Sequence, residues 1–167
     1  MQTIFTVNDY TKRFETCESK ADMYERFFKN YEIADVTAWK TMIPDPLMTD
    51  SVKGLFTFWR ENCEIRPTKT TDELIKMAEL FSLLENVFRN ALLRPYIPAY
   101  RTINTKCGRY CFSETEVGES LFWRLKLSEK TPGRLTYEET NPAQTVVYAL
   151  TCFVFWHILS LRIKSRC

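Results

Sequence analysis

The sequence predicts a mainly α-helical fold with a small β element, and three observations point to it. Apolar side chains recur at alternating steps of three and four residues along most of the chain, the spacing that lines one side of a helix. A threonine or serine followed three residues later by glutamate, the capping-box pattern, stands before two of these runs. Short alternations and turn residues typical of strands are confined to residues 100–112 and 135–138. We therefore expect a helical bundle that carries a few short strands.

The first part of the chain is predicted to form helices only. An apolar stripe over residues 10–31 indicates one long first helix. A short helical piece over 37–42 ends at the Pro-Asp-Pro turn of residues 44–46, because proline cannot continue a helix. The pattern that begins at Asp50 predicts a further helix, which ends before Pro67.

The clearest helix start in the sequence is the capping box at residues 70–73. The helix behind it should run to about Leu93, because Pro95 stops it. The next segment, up to residue 112, has two prolines and short alternations, and it should be extended with a turn at Cys107-Gly108.

The remaining elements alternate between helix and strand. A second capping box at residues 113–116 predicts a helix over 115–127, followed by a turn at 131–133 and a short strand at 135–138. Asn141 followed by Pro142 is a favourable cap and first-turn pair for a last helix. Since neither repeats nor low-complexity linkers occur, we expect one domain over 1–167, with helices 8–66 packed on the part that follows.

The last predicted helix raises a choice between membrane and core. Residues 145–161 carry no charge and are followed by a basic tail. A membrane-spanning helix needs about 20 largely apolar residues, and the uncharged stretch of residues 142–161 only just reaches that length. A helix that is apolar all round is also typical of the centre of a protein. The core interpretation is favoured, because polar groups in lipid need partners and this helix contains Gln144, Thr151, His157 and Ser160.

Composition limits the classes of function. The formal net charge of +2 is too small to indicate nucleic-acid binding by itself. No basic start or apolar run of signal-peptide length is present at the beginning, so secretion is not expected. The six cysteines are scattered through a chain large enough to fold without disulfides. We therefore expect reduced thiols and a cytoplasmic location.

The sequence does not point to an enzyme. The single histidine, His157, lies in the most apolar segment, and Cys152 is five positions earlier, off its helical face. Cys107 and Cys111 lack a second pair at zinc spacing, and no glycine-rich phosphate loop occurs. We expect no catalytic residues, no metal and no cofactor.

The second half of the chain resembles a known family of interaction domains. The segments LLRP at 92–95, AYRTI at 99–103 and GRY at 108–110, followed by the elements predicted above, resemble the PUB domain. The glycine in the loop at 106–110 makes the chain most similar to the spermatogenesis-associated protein 2 type. The resemblance covers about residues 72–164, and it implies a closing apolar helix packed inside a helical bundle.

The resemblance implies a non-catalytic, adaptor-like module. Its partner would be a cylindromatosis-type deubiquitinase or an acidic peptide. Two departures from the family pattern concern the binding of this partner. Cys107 stands where the peptide-binding members of the family have an asparagine, and Lys106 stands where the adaptor members have an aromatic residue. The binding surface is placed at Tyr96, Tyr100, Arg101, Asn104, Lys106, Cys107, Arg109 and Tyr110.

The charge pattern of this region fits such a surface. No acidic side chain occurs between Glu85 and Glu114, and five positive charges surround three tyrosines, which would attract and anchor an acidic segment. Two alternatives remain open: a solvated loop whose tyrosines cover the edge of the core, and weak binding of single-stranded nucleic acid. The five charges are Arg89, Arg94, Arg101, Lys106 and Arg109.

Overall fold

The computed structural model describes residues 7–16, 19–31, 35–64, 70–104, 125, 127–139 and 141–166. These residues are mainly α-helical, as predicted. The α-helices are α1 (Val7–Thr16), α2 (Lys20–Tyr31), α3 (Val36–Met42), α4 (Asp50–Trp59), α5 (Thr71–Leu93) and α6 (Pro142–Ser165). Short 3-10 helices cover Asp45–Leu47 and Pro98–Arg101, and a π-helical turn at Arg60–Glu64 follows α4. The strands β1 (Thr102–Asn104), β2 (Leu127–Thr131) and β3 (Arg134–Tyr137) form an antiparallel sheet in the order β1-β3-β2.

The two longest helices, α5 and α6, form the centre of the core. Phe81 packs against Phe155 with ring centroids 5.0 Å apart, and Phe88 packs against Tyr148 at 5.3 Å, so the two helices run antiparallel. Every residue of α6 from position 144 to 155 is buried. One cluster of buried apolar side chains connects all six helices with the sheet.

Length and composition would let α6 cross a membrane, and among the described residues it is the one helix of that kind. Its apolar window has a mean hydropathy of 1.8, but 61% of that window is buried inside the protein. The structure therefore places α6 in the core, as the sequence favoured.

The polar side chains of α6 are bonded to other elements of the same chain. Thr151 accepts a hydrogen bond from the indole N–H of Trp39 at 2.8 Å. The Thr145 hydroxyl lies 2.8 Å from the hydroxyl of Tyr137, and the Gln144 amide donates to the carbonyl of Leu47 at 3.3 Å. Buried polar groups are costly without such partners, so these bonds fix how α6 is rotated against its neighbours.

The predicted helix starts are confirmed by cap geometry. The backbone N–H of Glu73 donates to the Thr70 hydroxyl at 3.2 Å, and α5 ends at Leu93 as expected. At the start of α6, Asn141 accepts from the backbone N–H of Ala143 at 3.1 Å and Pro142 occupies the first turn.

The single long first helix predicted over residues 10–31 is wrong. The segment forms α1 and α2, and the second helix starts where the backbone N–H of Asp22 donates to the Ser19 hydroxyl at 3.2 Å. In one straight helix Tyr10 and Tyr24 would be about 21 Å apart along the axis. Their hydroxyl oxygens are 3.0 Å apart, because α2 folds back on α1. The apolar spacing continues across the break, which is why it hid the turn.

The helix predicted over residues 115–127 does not continue to its expected end. Residues 127–131 form strand β2, which pairs with β3. The turn predicted at 131–133 is the hairpin connection, and Gly133 has a φ of 80°, which glycine adopts readily. The apolar spacing before this turn favoured a helix where the chain forms β2. The second capping box and residues 115–124 lie outside the described residues.

The predicted small β element is confirmed in part. The strand expected at 135–138 is β3, displaced by one residue. Of the extended segment expected around 100–112, residues 102–104 form β1, and residues 105–112 lie outside the described part of the chain.

Candidate functional site

The predicted binding surface begins where α5 ends. The backbone N–H of Arg94 bonds to the carbonyl of Asn90 at 2.9 Å, and the N–H of Ile97 then bonds to the carbonyl of Arg94 at 3.2 Å. This turn places Tyr96 in solvent, with 77% of its surface exposed, more than any other large apolar side chain among the described residues. Prolines at 95 and 98 stand on both sides of it and restrict the backbone. Tyr96 is thus presented on a rigid turn.

Arg101 has a structural role in the same region. Its guanidinium donates to the carbonyls of Tyr137 at 3.3 Å and of Glu139 at 3.0 Å. It also lies 5.6 Å from the centre of the Tyr137 ring. Arg101 therefore fastens the segment after α5 to the end of β3, and its charge is engaged within the protein.

Arg89, one of the five predicted surface charges, also faces inward. Its guanidinium donates to the Asn86 side chain at 2.6 Å, lies 3.5 Å from a carboxylate oxygen of Glu85 and stands 5.7 Å from the centre of the Phe14 ring. Of the other predicted charges, Arg94 is exposed, and Lys106 and Arg109 lie outside the described residues.

The remaining predicted site residues are described only in part. Tyr100 lies inside the 3-10 helix Pro98–Arg101 and Asn104 ends β1, and for both the structure describes the backbone alone. The loop residues Lys106, Cys107, Arg109 and Tyr110 lie outside the described residues. The described part of the surface therefore consists of Tyr96 and the Arg101 anchor beside it.

A buried polar network that the sequence did not predict lies on the other side of α5. The Tyr24 hydroxyl donates to a carboxylate oxygen of Glu85 at 2.6 Å, and the Tyr10 hydroxyl lies 3.0 Å from that of Tyr24. Lys20 brings its Nζ to 2.6 Å from the other Glu85 oxygen. Burial is the main cause that raises the pKa of Tyr10, and the Glu85 charge adds to it. Burial also raises the pKa of Tyr24 most, with smaller contributions from the neighbouring Tyr10 and Glu85. Because Tyr10, Tyr24 and Glu85 are fully buried, this network holds α1 and α2 on α5.

Cys152 and His157, two groups that could carry nucleophilic chemistry, are buried and half-buried within the described part of the chain. Burial raises the pKa of the Cys152 thiol, which therefore stays protonated and a poor nucleophile. Burial, followed by the charge of Lys164, lowers the pKa of the half-buried His157. Among the described residues, no group of three or more His, Cys, Asp and Glu side chains is placed to hold a metal ion.

A concave feature, which we call the α3–α4 cleft, is formed by residues far along the chain from the predicted surface. It has a volume of about 220 Å³. Sequence reasoning missed it because its side chains come from two helices joined through a proline turn. Its lining includes the cations Lys40, Lys53 and Arg60 together with Phe56, Trp59 and Glu64.

Comparison with known proteins adds no relative. No family model, curated protein or solved structure matches this chain. The similarity of residues 72–164 to PUB domains stays a prediction from short motifs.

Proposed function

We propose that the protein is a non-catalytic, adaptor-like interaction module of the ubiquitin pathway. Its partner would be a cylindromatosis-type deubiquitinase or another protein that offers an acidic segment, bound at the surface that follows α5. The observation that carries the proposal is Tyr96, 77% exposed on a turn bounded by two prolines. The choice of partner rests on the PUB resemblance.

The turn is suited to binding because its position is fixed before a partner arrives. The hydrogen bonds at the end of α5 hold one side of it, and the Arg101 anchor to the end of β3 holds the other. A rigid surface loses little conformational entropy on association. Exposed tyrosine and arginine side chains are the residue types that most often dominate the binding energy of protein interfaces. Tyr96 and Arg94 provide both types next to the turn.

The cytoplasmic location belongs to the same proposal. The two described cysteines, Cys63 and Cys152, are buried thiols, as expected for a protein kept in a reducing compartment. A membrane-anchored form would have to withdraw residues 144–155 from the core, where all of them are buried. Nucleic-acid binding is weakened as an alternative because Arg89 and Arg101 are engaged inside the protein.

Capture of the deubiquitinase catalytic domain by the purified chain tests the proposal. We expect Tyr96→Ala to weaken binding by about tenfold or more, as for a central interface aromatic. The double variant Lys106→Glu/Arg109→Glu should slow association, and the size of this effect should shrink as salt is added.

Two controls match these changes at distant exposed positions. Leu161→Ala removes an apolar side chain that is 51% exposed, and Lys76→Glu reverses a charge on α5. Both should leave capture unchanged. Capture that is equally strong with Tyr96→Ala and with the double variant would remove this surface from the binding site. Absence of binding by the wild-type chain, to the deubiquitinase and to acidic peptides alike, would refute the proposed function.

A further inference from the structure

We propose that the α3–α4 cleft is a binding site for a phosphorylated serine or threonine side chain of a partner protein. The site is separate from the surface after α5, so this inference does not depend on the proposed function. It rests on three properties of the cleft: its three cations, the rigidity of the turn that carries Arg60, and its size.

The first property is a group of three cations. Lys40 comes from α3, Lys53 from α4 and Arg60 from the π-helical turn, and all three are exposed. Within the described part of the chain none of them forms an ion pair with a carboxylate. Glu64, which also lines the cleft, instead accepts a hydrogen bond from the indole N–H of Trp59 at 3.0 Å. Like charges that share a cleft repel one another, and an anion relieves that repulsion.

The second property is that the cationic turn is held in place from behind. A π-helical turn is rare and often marks a functional site. The turn at Arg60–Glu64 is stabilised by Asn62, whose amide donates to the carbonyl of Phe58 at 2.9 Å. From α6, Arg162 donates to the carbonyl of Cys63 at 2.7 Å. The position of Arg60 at the cleft is thus set by buried contacts rather than by a ligand.

On the opposite wall, Lys40 is oriented by an aromatic ring. Its Nζ lies 5.6 Å from the centre of the Phe56 ring, a cation–π distance. Thr37 and Thr57 also line the cleft, and a threonine hydroxyl can donate a further hydrogen bond. Three cations and two hydroxyls match the needs of a phosphate ester, which carries nearly two negative charges and three strong acceptor oxygens at neutral pH.

The third property is size. A space of about 220 Å³ is far more than one ordered water needs and is sufficient for a phosphate ester. The side chains of phosphoserine and phosphothreonine have six and seven heavy atoms. Phosphotyrosine is much larger, and the rings of Phe56 and Trp59 are too deeply buried to stack on it. The cleft therefore fits the two smaller phosphorylated residues.

Amide chemical shifts of the full chain, followed by NMR during titration, test the site. The probe is a short alanine-glycine peptide centred on phosphoserine, compared with its unphosphorylated form, its phosphotyrosine form, inorganic phosphate and vesicles of anionic phospholipid. We expect the phosphoserine peptide to shift the amides of residues 37–40 and 53–60. The other four probes should bind more weakly or not at all.

Variants at exposed positions assign the binding to the cleft. Lys53→Glu should weaken peptide binding by about tenfold or more, because charge-assisted hydrogen bonds are lost and a repulsive charge is added. Lys76→Glu, the same change outside the cleft, should alter it less than about twofold, as for a screened distant charge. Glu64→Gln should tighten binding, since it removes the single negative charge of the cleft lining and keeps an acceptor for Trp59. Thermal unfolding checks that each variant is folded.

Four results would overturn the inference. The first is an equal loss of peptide affinity for Lys53→Glu and Lys76→Glu, and the second is equal binding of the phosphorylated and unphosphorylated peptides. The third is inorganic phosphate that binds as tightly as the phosphoserine peptide, and the fourth is binding to vesicles only. If Lys53→Glu still captures the deubiquitinase while Tyr96→Ala still binds the phosphopeptide, the two surfaces are independent.

Discussion

Replacing Phe155 by alanine tests whether α6 belongs to the core. The Phe155 ring is stacked on Trp59, with centroids 4.6 Å apart and planes inclined by 16°. It also contacts Phe81 at 5.0 Å and Phe56 at 5.7 Å. These neighbours belong to α4 and α5, so they cannot all move into the space that the ring leaves. We therefore expect a loss of about 4 kcal/mol in the free energy of unfolding, within the usual range for a buried Phe→Ala change.

The expected loss is large enough to measure by two methods. In urea, the unfolding midpoint followed by circular dichroism should fall strongly, and Tm should drop by roughly 8 to 16 °C for a chain of this size. Leu161→Ala on the same helix is the matched control, because that side chain is 51% exposed. It should cost no more than about 0.5 kcal/mol, as for a surface position. If Phe155→Ala were as mild as Leu161→Ala, the packing of α6 on α4 and α5 would be wrong.

Three further changes test other contacts. Tyr24→Phe deletes the 2.6 Å hydrogen bond to buried Glu85, so urea unfolding should show a loss of about 1.5 to 3 kcal/mol in the free energy of unfolding. A neutral effect would mean that the carboxylate does not depend on this hydroxyl. Because the pKa of Tyr24 is raised, this side chain stabilises the folded state fully below pH 10.0, and the stabilisation is lost as pH rises above that value. The wild-type chain should therefore lose more stability in alkali than Tyr24→Phe. Arg101→Lys cannot reproduce the two hydrogen bonds to backbone carbonyls and should lower the free energy of unfolding by about 1 kcal/mol in the same assay. An unchanged urea midpoint would show that these two bonds are dispensable. Because burial lowers the pKa of His157, the unfolded chain takes up the proton first as pH falls through 6.5. The free energy of unfolding should therefore be constant above about pH 7 and decline towards pH 5. His157→Gln should flatten this decline, and an unaltered slope would exclude His157 as its source.

Local signals predicted the elements whose ends are set by single residues. Thr70 and Asn141 start helices through their own side chains, and Pro95 follows the end of α5, so these boundaries could be seen in the sequence. The burial of α6 could be favoured from its polar residues, but the partner of Thr151 could not be named, because Trp39 is far away along the chain.

Features that depend on long-range contacts were missed. The apolar stripe of residues 10–31 is the same for one helix and for two helices that fold on each other, so periodicity alone could not show the break. The α3–α4 cleft joins Lys40 to Lys53 and depends on a π-helical turn that is held by Arg162. No local pattern links these residues. Arg101 was assigned to the binding surface from its charge, and its bonds to β3 became evident only in three dimensions.

The Glu85 carboxylate determines how far the chain can be shortened. Truncation to residues 72–164, the PUB-like part, would remove Lys20 and both tyrosines from around a group with no solvent exposure. Arg89 alone would remain beside the carboxylate, at 3.5 Å. Losing one partner of a buried ion pair typically costs about 3–5 kcal/mol, a large part of the stability of an ordinary domain. The shortened fragment would have to leave this buried carboxylate with a single cation or loosen α5, and its behaviour would therefore misrepresent the intact chain.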